Sequence, residues 1–166
     1  LTCESLFATL GLRVSGVRVS GVAHARKLRV MVGAFPGREG ACYGAAVLAP
    51  EGTVLRRLGG VRAGADPAAA AMEAVLQALW AARSFGRRAR VWIWPGEVAG
   101  WLARRVPVPE RYVGWFVQVR ALSHAFREVE FLPATAEEAH LARKVACGSE
   151  PGTEGAGSPP AELVRL

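Results

Sequence analysis

One long amphipathic helix set between short β-rich runs constrains the fold of this chain more than any other feature. Asp66 is a good N-cap, and Pro67 suits the first helical position, where a missing N–H costs nothing. From there Met72, Val75, Leu76 and Leu79 recur at spacings of 3, 4 and 7, which is one apolar stripe. The pattern predicts a helix over residues 67–85, ended by Gly86-Arg-Arg. Residues 90–94 then form a short run, apolar on both faces apart from Arg90, as a buried central strand would be. A strand reached through a helical crossover lies parallel to the strand that precedes the crossover. The chain is therefore read as α/β.

The segments around the helix fit that reading. Residues 28–32 are a buried strand ending at Gly33, and residues 34–40 are rich in turn formers. Residues 41–48 make a second strand, Pro50-Glu-Gly52 a tight turn, and residues 53–58 a third strand. Short connections make these three an antiparallel meander. Residues 97–104 predict a short helix, stopped by Val106-Pro-Val-Pro109. A longer helix over 111–126 carries Tyr112, Trp115, Phe116, Val119, Leu122 and Phe126 on one side. A last strand covers 129–132. A last helix covers 135–146, with Thr135 and Glu138 in capping-box spacing. Residues 1–27 form an N-terminal extension with a short helix over 4–10 and a near-repeat, Val14-Ser-Gly-Val17 and Val19-Ser-Gly-Val22. Two five-residue units bury no core, so no repeat architecture follows. The domain proper is expected over 28–147, and residues 148–166 read as a mobile linker-like tail.

Composition sets the outer limits. The chain has 166 residues, 51% of them apolar, which is enough for one core. The longest uncharged apolar run, residues 40–50, falls short of the roughly 18 residues of a membrane span. With no basic signal-peptide start, a cytoplasmic protein with no membrane partner is expected. Cys3, Cys42 and Cys147 are odd in number and far apart, so structural thiols are expected and not a zinc site or disulfide framework. Nineteen arginines against two lysines fit a GC-rich genome, and the absence of asparagine fits a thermophile source. The net charge of +7 is unevenly spread. Residues 83–127 hold nine arginines against two glutamates, whereas the rest of the chain carries twelve charges of each sign and cancels. A basic segment of this kind is suited to a polyanion.

The order βββ-α-β-α-α-β-α, with its local motifs, resembles the ribonuclease H family. Gly40-Ala-Cys-Tyr-Gly-Ala-Ala-Val-Leu48 is similar to the family's Gly-x-x-Gly-Tyr-Gly-Ala-Val-Leu strand. Met72-Glu-Ala-Val-Leu-Gln-Ala-Leu-Trp-Ala-Ala82 is similar to its first helix. Glu128-Val-Glu-Phe-Leu-Pro, followed by Glu137-Glu-Ala-His-Leu-Ala-Arg-Lys-Val-Ala146, is similar to its last strand and last helix. The resemblance runs through most of residues 28–146, in the compact form without a large basic handle. It implies a ribonuclease H-like five-stranded mixed sheet of order 3-2-1-4-5 with helices on both faces.

The family's chemistry uses two divalent metals, held by an Asp-Glu-Asp-Asp set, to activate water and stabilise a leaving phosphodiester oxygen. Such hard cations need carboxylate oxygens. This chain has a single aspartate, Asp66, and it is a helix cap. The resemblance places Gly33 at the first aspartate, Glu73 at the glutamate, Pro95 or Gly96 at the second aspartate, and His140 at the last. Glu73 is the only family carboxylate kept, although the helix dipole alone would favour an acid there. No metal is expected, and Mg or Mn enters only with residual nuclease activity.

Other constellations are weaker. Trp92, Trp94 and Trp115 are expected in the core. Trp101, with Arg104 and Arg105, is similar to the aromatic and basic cluster that some family members press against the DNA strand of a hybrid. His124 lies on the arginine side of its helix, and His24 has no visible partner. No Ser-His-Asp or Cys-His arrangement and no phosphate loop occurs. The reading is a catalytically inactive ribonuclease H-like domain that binds nucleic acid (RNA, DNA or hybrid). Arg87, Arg88, Arg104, Arg105, Arg120 and Arg127 would contact phosphates. Two alternatives stand: a protein-interaction or structural scaffold, and a metal-dependent nuclease with a non-standard site.

Overall fold

A computed structural model describes residues 26–146 of the protein. The expectations for the helix over 4–10, the near-repeat, His24, Cys3, Cys147 and the tail lie outside the described residues. Strands β1 (Leu28–Gly37), β2 (Gly40–Leu48) and β3 (Val54–Ala63) come first. Helix α1 (Pro67–Ala82) leads to β4 (Arg88–Trp94). Helix α2 (Gly96–Leu102), a 3-10 turn (Glu110–Tyr112), α3 (Val113–Ser123), β5 (Glu128–Pro133) and α4 (Ala136–Ala146) complete the order. The sheet runs β3-β2-β1-β4-β5. The first three strands are antiparallel, and β4 is parallel to both β1 and β5. The crossover through α1 thus has the expected consequence.

Alternation along the strands sorts the core into two faces. Val30, Val32 and Ala34 of β1 and Ala45 and Val47 of β2 join the buried Met72, Val75 and Leu79 of α1 in the main core. The intervening Met31, Ala46 and Leu48 pack with Leu141 of α4 in a second, smaller cluster. Helices therefore cover both faces, but α4 lies over β1 and β2 and hardly touches β4. Trp94 is accordingly 43% exposed and Trp92 only partly buried, so the core expectation is corrected for these two, whereas Trp115 of α3 is partly buried and packs against the main core.

The strands are longer than expected. β1 pairs with β2 through Gly37↔Gly40, leaving a two-residue turn at Arg38-Glu39 where a seven-residue loop over 34–40 was expected. Pro36 is tolerated because β1 pairs with β4 only as far as Gly33, so beyond that point its other side is an edge. β3 runs through Gly59 and Gly60 to Ala63. A β-carbon at Gly60 would lie 2.8 Å from the Tyr43 hydroxyl, so the glycine leaves room for that ring across the ladder. No described helix is long and apolar enough to cross a membrane.

Candidate functional site

Gly33 is flanked in the sheet by Gly44 of β2 and by Trp94 of β4. A β-carbon there would lie 2.7 Å from the Ala142 β-carbon and 3.0 Å from the Phe35 ring. An aspartate at this position would have to displace α4, whose start is fixed by a capping box. In that box the Thr135 N–H donates to Glu138 Oε2 at 2.6 Å, and the Glu138 N–H donates to Thr135 Oγ1 at 3.4 Å. The α4 residue that faces Gly33 is Ala142, and His140 is exposed. The β4 residue beside Gly33 is Trp94, whereas Pro95 has left the strand as the N-cap of α2.

Glu73 does not join this group. Its carboxylate forms an ion pair with Arg62 of β3 and accepts a bond of 3.4 Å from Gln77 Nε2. The Arg62 guanidinium lies 4.9 Å from the centre of the Trp115 ring, so one arginine joins β3, α1 and α3. Cations of the kind the resemblance implies need several convergent oxygens. Here Gly33, which the resemblance sets at the first aspartate, is closed over by Ala142, the neighbouring strand ends in an aromatic ring, and the Glu73 carboxylate already has a cationic partner. Among the described residues, no three of His, Cys, Asp and Glu come together. The residues present do not fit a two-metal centre.

Asp66 performs the capping role expected of it and a second one besides. Its side chain accepts the Ala69 N–H at 2.8 Å and the Tyr112 hydroxyl at 2.7 Å. Burial raises its carboxyl pKa, but these two bonds and Arg111 outweigh that effect and hold it below the ordinary value. For Tyr112, burial and the Asp66 carboxylate push the phenol up to about 12.

The expected basic residues divide between two concavities that share no lining residue. Arg104 and Arg105 line the first, with Trp101, Val106 and Phe116. Arg104 has φ 59°, the left-handed conformation that closes α2, and the Arg105 N–H returns to the Gly100 carbonyl at 2.9 Å. Trp101 lines this concavity beside Arg104 and Arg105, as the sequence grouping expects, but it is only 6% exposed, and its ring stacks on Tyr112 with centroids 4.8 Å apart. Most of that ring is therefore packed in the core. Arg87, Arg88 and Arg127 line the second concavity, together with Arg26 and Phe85, which sequence reasoning missed. The signal for Arg26 was the parallel register, which no local pattern reveals. Arg120 lines neither and is half-buried on α3.

No protein-family model and no curated protein matches the sequence. Solved structures do match the fold. The N-terminal RNase H domain of a Mycobacterium tuberculosis protein is 22% identical with a TM-score of 0.68, over 75% of this chain and 94% of that one. RNase H1 from Halobacterium salinarum is 19% identical with a TM-score of 0.66, over 74% of this chain and 96% of that one. LC11-RNase H1 in complex with RNA/DNA hybrid is 14% identical with a TM-score of 0.67, over 74% of this chain and 95% of that one.

Proposed function

We propose that this ribonuclease H-like fold serves as a non-catalytic nucleic-acid-binding domain. The observation that carries this reading is the pair of arginine-lined concavities, neither of which has an acidic lining residue. Arg104 and Arg105 in one, and Arg87, Arg88 and Arg127 in the other, would neutralise phosphates and release counterions without reading sequence. Arg120 would add to the same field. One neighbour in fold is solved with an RNA/DNA hybrid, which supports nucleic acid as the ligand class. Loss of catalysis is supported by the closed space at Gly33 and by the Arg62 partner of Glu73.

The test uses purified protein, a labelled RNA–DNA hybrid, and Mg²⁺ or Mn²⁺. Binding without cleavage is expected, with log K falling linearly against log salt. Cleavage that disappears in Glu73→Ala would overturn the reading in favour of a nuclease with a non-standard site. Absence of binding even at low ionic strength would leave the scaffold alternative.

A further inference from the structure

An arginine lies one or two residues before each of the three parallel strands. Leu28 pairs with Ala89, so Arg26 and Arg87 each stand two residues before that first pair, and Arg88 pairs with Glu128, which brings Arg87 level with Arg127. Neighbouring strands are about 4.8 Å apart, so the three residues form a row about 10 Å long across the sheet end. Two of the three are held in place. The Arg127 N–H donates to the Arg87 carbonyl at 2.7 Å, and Arg87 Nη1 donates to the Ala125 carbonyl at 2.8 Å. Glu128, next in the chain, is occupied by Lys27. All three arginines are exposed and line one concavity.

The same concavity holds Phe85, which is 46% exposed. Its N–H donates to the Ala82 carbonyl at 2.9 Å and closes the end of α1, so the ring is carried on an ordered turn. An aromatic ring beside a row of guanidinium groups matches the two needs of an unpaired strand, a stacking surface for a base and cations for its phosphates. A paired duplex offers no free base face to such a ring.

We propose that Arg26, Arg87, Arg127 and Phe85 form a binding site for single-stranded nucleic acid, with phosphates on the arginine row and one base on Phe85. This inference rests on the nucleic-acid reading above and makes it specific in place and in ligand.

The test is fluorescence anisotropy with a short labelled oligothymidine, alone and annealed to its complement, across a salt series. The variants are Phe85→Ala, the double variant Arg26→Glu/Arg127→Glu, and a charge-matched control, Arg56→Glu/Arg57→Glu, on the sheet edge. Melting temperatures verify that each is folded. Phe85→Ala is expected to weaken single-strand binding about tenfold and leave duplex binding unchanged. Arg26→Glu/Arg127→Glu is expected to weaken binding more than the control and to lower the salt slope by about 0.7 for each lost phosphate contact. A loss no greater than the control's would overturn the site but leave the general nucleic-acid reading intact. Equal losses on single strand and duplex for Phe85→Ala would overturn the stacking assignment. No binding by the unaltered protein to either probe would overturn both readings together.

Discussion

Asp66 and Glu73, the acids of the first helix, each have an assigned partner in the fold. Asp66 caps α1 and accepts the Tyr112 hydroxyl. Asp66→Ala is expected to cost about 1 kcal/mol in chemical denaturation, the usual loss for an N-cap. Because its folded pKa lies below the ordinary 3.8, the carboxylate contributes fully above that value and its contribution is lost as pH falls through the folded pKa. The difference between Asp66→Ala and the unaltered protein should therefore shrink in strong acid, and a constant difference would contradict the carboxylate's role. Glu73 is paired with Arg62. A double-mutant cycle of Glu73→Ala and Arg62→Ala is expected to yield a coupling of about 1 kcal/mol. The melting temperature should not respond to Mg²⁺ or EDTA. Both acids were visible in the sequence, but only the cap was legible there, since a cap bonds its own helix. The partner of Glu73 lies on another strand, where no local pattern points.

At the scale of elements, legibility followed locality. Helix α1 starts where Asp66 and Pro67 require, and α4 starts at its capping box, because both signals are short-range. The helix expected over 111–126 is divided instead into a 3-10 turn at Glu110–Tyr112 and α3 at Val113–Ser123. Tyr112 is drawn into the core by its stacking on Trp101 and its bond to Asp66. Strand ends were the least legible, since Pro36 and the Gly59-Gly60 pair read as turns in isolation and as strand once β2 is beside them. The left-handed Arg104 closes α2 where glycine would be unstrained. Arg104→Gly is expected to stabilise the protein by about 1 kcal/mol and to weaken binding to nucleic acid. A stabilised variant with unchanged affinity would remove Arg104 from the interface.

At the scale of the whole molecule, five of the nine arginines of residues 83–127 line two separate concavities. Substitutions in separate sites with no shared partner add in free energy. Arg104→Glu/Arg105→Glu and Arg26→Glu/Arg127→Glu are therefore expected to have additive effects on log K for a long single strand. Strong non-additivity in the combined variant, measured by anisotropy, would mean one continuous surface.

The sequence by itself determined the α/β class and the parallel return through α1, and its family resemblance implied the strand order. Periodicity, caps and crossover handedness are properties of contiguous residues. The resemblance places Gly33, Pro95 and His140 where the family has aspartates. Tertiary structure alone decided what occupies the space instead. The register of β1 against β4 set Trp94, and not Pro95, beside Gly33. The packing of α4 set Ala142, and not His140, above it. The same register gathered Arg26, Arg87 and Arg127 from three distant segments into one row. Such contacts depend on how strands align and helices dock, and a side chain's neighbour across a sheet has no trace in the residues next to it in the chain.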